Sequence, residues 1–191
     1  MSGTSLTGVR VREAAPHEYE RVADLVELGF RHGPYGHLPV SAERTALVRD
    51  SAGRAAAGAL LVAVDAAPGL TEESEELAAL LGTASLLRAG APGTRLAQSG
   101  EVELRLIAVD PAARGRGVGE TLVRASLDVA AQMGAEAVVL DTGSLNLPAQ
   151  RLYERVGFHR QLDRVPANLG GPGSPDAIAP LVYRCTLPRH P

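Results

Sequence analysis

Apolar and polar positions along the chain follow two periods. Alternation over residues 9–12 predicts a first strand, and apolar runs at 59–65, 81–88 and 101–109 predict three more. Val22, Leu25, Val26, Gly29 and Phe30 fall on one face of a helix that follows Pro16 and is broken by the Gly-Pro-Tyr-Gly of 33–36. Ser41 is placed to cap a second helix reaching about Ala57, with Gly58 as its stop. Val118, Leu122, Ala125, Val129 and Met133 trace a third helical face, ended by Gly134. A short buried strand at 137–140 follows. Pro148 suits the first position of a fourth helix ending near Gly157, and strands at 158–164 and 181–187 complete the pattern. The acidic stretch 68–76 and the glycine- and proline-rich 170–175 read as loops. Without internal repeats, the order β-α-α-β-β-β-α-β-α-β-β implies one domain over residues 1–191. Its class is α/β (α+β), with a mixed sheet covered by helices on both faces.

Composition narrows the partners. The net charge of -3 gives no general attraction to nucleic acid or to an anionic membrane. No apolar run approaches the ~20 residues needed to cross a bilayer. The first residues lack a basic segment followed by an apolar one, and the single Cys185 excludes an internal disulfide. A cytoplasmic location is the expectation. The chain has no lysine, and alanine, glycine and arginine are abundant, as under a base-composition bias.

Chemistry concentrates between Val109 and Gly119. An apolar strand stops at Asp110-Pro111, a turn rich in glycine follows, and a helical pattern opens at Val118. The first amides of a helix lack intrahelical acceptors, and its dipole places roughly half a positive charge there, so such a junction attracts phosphate. Gly115, Gly117 and Gly119 let a bulky anion approach the backbone, and Arg114 and Arg116 could contact it. A Walker loop needs a lysine that this chain lacks. A dinucleotide fingerprint needs G-x-G-x-x-G in the first strand–turn–helix unit, whereas these glycines are spaced G-x-G-x-G in mid-chain. A nucleotide-binding oxidoreductase is therefore a minor alternative.

Arg114, Gly117 and Gly119 after a strand, followed by Asn146, Ala149, Leu152, Tyr153, Gly157 and Phe158, resemble the two motifs of the GCN5-related N-acetyltransferases (GNAT). The resemblance implies the GNAT fold, with a mixed, mostly antiparallel sheet of about seven strands splayed between strands 4 and 5 and flanked by about four helices. It implies acetyl-CoA as cosubstrate and no metal. The pyrophosphate would lie on the amides of Arg114, Gly115, Arg116, Gly117, Val118 and Gly119. The pantetheine arm would pair with the backbone of Ile107, Ala108 and Val109, and Asn146 would bond that arm or cap its helix.

Acetyl transfer to an amine needs a neutral nucleophile, a donor to the oxyanion and a proton for the thiolate. The resemblance makes Tyr153 the proton donor and Glu103 the base; Glu101, on the same face as Glu103 and Arg105, is the alternative base. His32, Tyr35 and His37 lie where the acceptor pocket of this fold is walled, and Asp141, Thr142 and Ser144 follow the fifth strand. The expected acceptor is a primary amine of a small molecule or peptide. An idle acyl-CoA-binding sensor or interaction module is the competing reading, and an apolar last strand is compatible with a homodimer.

Overall fold

A computed structural model describes residues 8–66, 78–164 and 180–188. Seven strands form one sheet: β1 (Val9–Glu13), β2 (Gly58–Asp65), β3 (Leu80–Arg88), β4 (Glu101–Val109), β5 (Ala137–Gly143), β6 (His159–Gln161) and β7 (Pro180–Thr186). Their order is β1-β2-β3-β4-β5-β7-β6, and only β4 and β5 run parallel. The apolar last strand, on which the expectation of a homodimer rests, has both edges engaged, by β5 and by β6. Residues 68–76 and 170–175, expected as loops, lie outside the described residues.

Five α-helices occur among the described residues, one more than the pattern predicts. They are α1 (Tyr19–Arg31), α2 (Ala42–Arg49), α3 (Ser51–Ala56), α4 (Val118–Gln132) and α5 (Leu147–Val156). Ser41 caps α2 as expected, its hydroxyl accepting from the Arg44 N–H at 3.2 Å. The predicted helix to Ala57 is divided, because the Asp50 carboxylate accepts from the Gly53 N–H at 2.8 Å and starts α3 afresh. Gly58 then opens β2 instead of closing a helix. Strand β5 extends to Gly143, beyond the predicted 140, since β7 pairs with it along its full length. Pro148 takes the second helical position of α5, after Leu147.

The two faces of the sheet carry separate cores. Helices α4 and α5 cover Leu61, Ala84, Leu86, Val102, Leu104, Val138 and Leu140 with Val118, Leu122, Val123 and Tyr153. Helix α1 covers the other face, with Val22 and Leu25 on Leu60 and Val62, and Ala23 and Val26 on Leu106 and Ala108. The approach of α1 is close: a Cβ at Gly29 would stand 3.0 Å from the Cβ of Ala108.

Strand β4 holds the feature that opens the sheet. Thr83 pairs with Ala108 and Ser85 with Arg105, so Leu106 and Ile107 together oppose Ala84. Leu106 absorbs this bulge with φ 50°, the only positive φ outside glycine among the described residues. Beside it, β4 and β5 pair only at Glu101–Ala137, Val102–Val138 and Glu103–Val139. Past that point β5 pairs with β7 alone, and residues 105–109 of β4 present an edge that no strand among the described residues occupies.

Candidate functional site

The open edge of β4 leads directly into the glycine-rich turn. Pro111–Ala113 forms one 3-10 turn capped by the Asp110 carboxylate, which accepts from Ala112 N–H at 2.8 Å. Gly115 and Gly117 follow at φ 79° and 78°, conformations that L side chains rarely adopt. Gly117 is the N-cap of α4, and its carbonyl accepts from the Thr121 N–H at 3.0 Å. The amides of Val118, Gly119 and Glu120 precede that first helical bond and have no partner in the ladder. Glu120, the acid nearest this positive end, is turned to Arg124 and Arg155, whose hydrogen bonds lower its pKa.

The two arginines of the turn have protein partners. Arg114 donates to the carbonyls of His32 at 3.0 Å and Gly29 at 3.2 Å, where the dipole at the end of α1 favours a cation. Arg116 forms an exposed ion pair with Asp65. With both side chains engaged, the donors left in the turn are its backbone amides. A Cβ added at Gly119 would stand 3.5 Å from Leu152 and 3.6 Å from Val109, so the turn lies close to both β4 and α5.

Asn146 and Tyr153 belong to α5, the helix that follows β5. Asn146 is the N-cap residue of α5, yet its side chain makes no capping bond, so its amide group is not consumed by the helix. Tyr153 faces inward from α5, packed against Phe158 and Tyr183 at ring centroid distances of 5.9 and 6.0 Å. Burial pushes its phenol well above the ordinary value, and the nearby charge of Asp141 adds to this. The group is consequently protonated throughout the physiological range.

Glu103 sits at the apex of the splay, on the last residue pair that β4 shares with β5. It is fully buried, and its Oε2 accepts from the amides of Arg95 (2.6 Å), Leu96 (2.7 Å) and Ala97 (3.3 Å). Its Oε1 lies 3.4 Å from Arg105 Nε and accepts no hydrogen bond. Glu101 has different surroundings. Burial alone would raise its pKa, but hydrogen bonds from Arg164 and Arg184 overcome that and hold it down to about 2. So weak a base, at the closed end of the β4–β5 pair, is unsuited to the alternative role the sequence left open.

A second set of polar groups gathers on the α1–α2 side of the same apex, and most of it escapes sequence reasoning. Asp141 of β5 accepts from Arg95 at 2.7 Å, Arg105 of β4 donates to the Gly93 carbonyl, and Arg44 of α2 stacks on the Phe30 ring at 4.3 Å. Tyr35 crosses from the α1–α2 loop to accept from the Leu145 N–H at 2.7 Å, and its ring fills the space beside Gly143. Of the loop residues singled out by sequence, Tyr35 makes this crossing. His32 stays local, its Nδ1 3.0 Å from the Leu28 carbonyl.

The model of the acetyltransferase (GNAT) family matches residues 34–158, about two thirds of the chain. The chain belongs to the GNAT family. It is 42% identical over 76 residues to a mycothiol acetyltransferase of Mycobacteroides abscessus, covering 40% of this chain and 26% of that one. It is 36% identical over 88 residues to human N-acetyltransferase 8B, covering 46% and 37% of the two. The chain thus spans well under half the length of these relatives. Its fold superposes on a Salmonella typhimurium structure containing the cofactor acetyl-CoA, with a TM-score of 0.66, 18% identity and 96% of each chain covered. Within this GNAT domain no described helix is long and apolar enough to cross a membrane. Among the described residues, no cluster of three or more His, Cys, Asp or Glu side chains is arranged to hold a metal ion.

Proposed function

We propose that this chain is an N-acetyltransferase that carries the acetyl group of acetyl-CoA to a primary amine by direct attack in a ternary complex. The observation that carries this reading is the edge of β4 at residues 105–109, unoccupied among the described residues and continuous with the amides at the start of α4 that have no helical partner. A ligand with an extended amide-bearing arm and a pyrophosphate end fits both parts. The backbone of Ile107, Ala108 and Val109 pairs with the arm as a missing strand would. The amides from Arg114 through Gly115, Arg116, Gly117 and Val118 to Gly119 receive the phosphates. Arg114 contributes by fixing the turn to the end of α1. Asn146, with its side chain free of the helix, bonds the arm from the start of α5.

The amine nitrogen attacks the thioester carbonyl, an N–H proton leaves, the C–S bond breaks, and the sulfur takes up a proton. A backbone N–H at the bulge of β4 donates to the oxyanion, a contribution of about 3 kcal/mol in comparable sites. Tyr153 hydrogen-bonds the departing thiolate and protonates it. Its raised pKa makes complete transfer to a thiolate of ordinary basicity (pKa ~8.5) uphill, so most of its effect comes through the hydrogen bond. Glu103 takes the amine proton through Oε1, by way of water, while Oε2 remains bound to the 95–97 amides.

Acetyl-CoA titration and CoA release across a panel of primary amines test the proposal together. Cys185 adds little background in the thiol assay, because burial raises its pKa. Saturable binding with turnover of at least one amine is expected. Binding without turnover of any amine would move the reading to an idle acyl-CoA sensor, and tighter binding of a dinucleotide than of CoA would overturn it.

A further inference from the structure

The acceptor side carries a cluster of guanidinium groups that the transfer chemistry does not use. Three guanidinium groups, Arg44, Arg95 and Arg105, sense one another's charge around the apex of the splay. Two carboxylates accompany them, and both are committed: Asp141 to Arg95 at 2.7 Å, Glu103 to three amides and, at 3.4 Å, to Arg105. Neither can swing away without breaking those bonds. One positive charge is left over, and it belongs to Arg44, which has no anion partner among the described residues. Desolvation and the charge of Arg95 pull its pKa down, with Asp141 opposing.

Arg44 is also held in a receptive posture. Arg44 is exposed, with its guanidinium carbon 4.3 Å over the Phe30 ring, a contact that does not use its N–H donors. The fork of those donors matches the two oxygens of a carboxylate. Tyr35, in the loop that leads into α2, is tied to Leu145 just before α5 and so joins this side of the sheet to the end of β5.

We propose that the acceptor is an amino carboxylate, whose carboxylate is received by the Arg44 fork beside Arg105 while its amine reaches the splay. This rests on the acetyl-transfer reading above and names the substrate class of that same site. Polyamines and other purely cationic acceptors are disfavoured by the same three arginines.

The test compares α-, β- and γ-amino acids with their own carboxamides as acceptors, each pair sharing one amine. A carboxylate bonded by one guanidinium fork is expected to favour the acid over its amide by roughly 10–100-fold in kcat/KM, mainly through KM. Arg44→Met, its folding verified by thermal unfolding, is expected to bring that ratio close to one, and Arg44→Lys to restore part of it. Turnover of amides equal to or better than their acids overturns this inference and leaves the acetyltransferase reading intact. If no amine in the panel is turned over, the N-acetylated acids and amides are titrated onto the CoA complex. Selective binding of the acids, lost in Arg44→Met, supports the inference, and equal or absent binding overturns it. Failure of acetyl-CoA to bind the wild-type chain overturns the acetyl-transfer reading itself.

Discussion

Glu103 offers the sharpest separation of structural from chemical roles, because its two oxygens have different surroundings. Replacement by Gln leaves an oxygen for the amides of Arg95, Leu96 and Ala97 but removes the charge. A hydrogen bond to an ionised acceptor contributes about 1.5–3 kcal/mol and a neutral one about 0.5–1.5. Three such losses would total about 3 kcal/mol. One oxygen shared by three donors, the third at 3.3 Å, brings the expected cost to about 2 kcal/mol. For a chain of this size that is a fall in Tm of about 4–8 °C. Glu103→Ala, which leaves the buried Leu96 amide without an acceptor and Arg105 without its carboxylate, is expected to cost about 3–5 kcal/mol. Urea unfolding followed by circular dichroism, with thermal melts in parallel, measures both. A Gln variant as stable as wild type would refute the reasoning that this carboxylate clasps the 95–97 turn. The same variant reads the chemistry: loss of a base lowers kcat by roughly 10²–10⁴-fold, whereas loss of the clasp alone raises the acceptor KM.

Three further outcomes follow from the geometry. Tyr153→Phe is expected to lower kcat by roughly 10–100-fold with acetyl-CoA affinity retained, and wild type to show no alkaline loss of kcat up to about pH 10, since burial holds the phenol protonated. Glu101, held down to about pKa 2, stabilises the fold above the ordinary carboxylate range, and that contribution is lost as pH falls from about 4.5 toward 2. Allowing for solvent around Arg164 and Arg184, it amounts to about 1–2 kcal/mol; the gap in urea midpoint between wild type and Glu101→Gln should therefore shrink from pH 6 to pH 3, and a constant gap would contradict the assignment. Gly143→Ala places a methyl group on the Tyr35 hydroxyl, the movable end of a side chain, so Tm should stay within a few degrees while Tyr35 leaves Leu145 and the acceptor KM rises. An unchanged KM would remove Tyr35 from the acceptor wall.

The donor half of the site is legible in the sequence because it is local. Residues 109–119 supply strand end, turn and helix start within one short segment, and the binding proposed there is to the backbone. The acceptor half is not local. Arg95 and Asp141 are 46 residues apart and Tyr35 and Leu145 are 110 apart, so no period or motif announces either pair. The division of the second helix was readable in principle, since Asp50 stands three residues before Gly53 as a capping residue should. The bulge had a trace as well: alternation in β4 breaks where Leu106 is followed directly by Ile107. Arg114 has partners that no motif announces, the carbonyls of Gly29 and His32, more than 80 residues away in the chain.

The extra residue at Leu106 shifts the alternation of β4 by one place. Before it, Val102 and Leu104 point toward α4; after it, Ile107 and Val109 do, and Leu106 and Ala108 turn toward α1. Deleting Leu106 would restore plain alternation: Ile107 would oppose Ala84, Ala108 and Val109 would keep their partners, and the two sets would keep their faces. The α1 core would lose one leucine, and the bend that a bulge imposes on its strand would go with it. The extra residue is therefore dispensable to the register of β4, and its consequence is the shape of the strand beside the edge at residues 105–109.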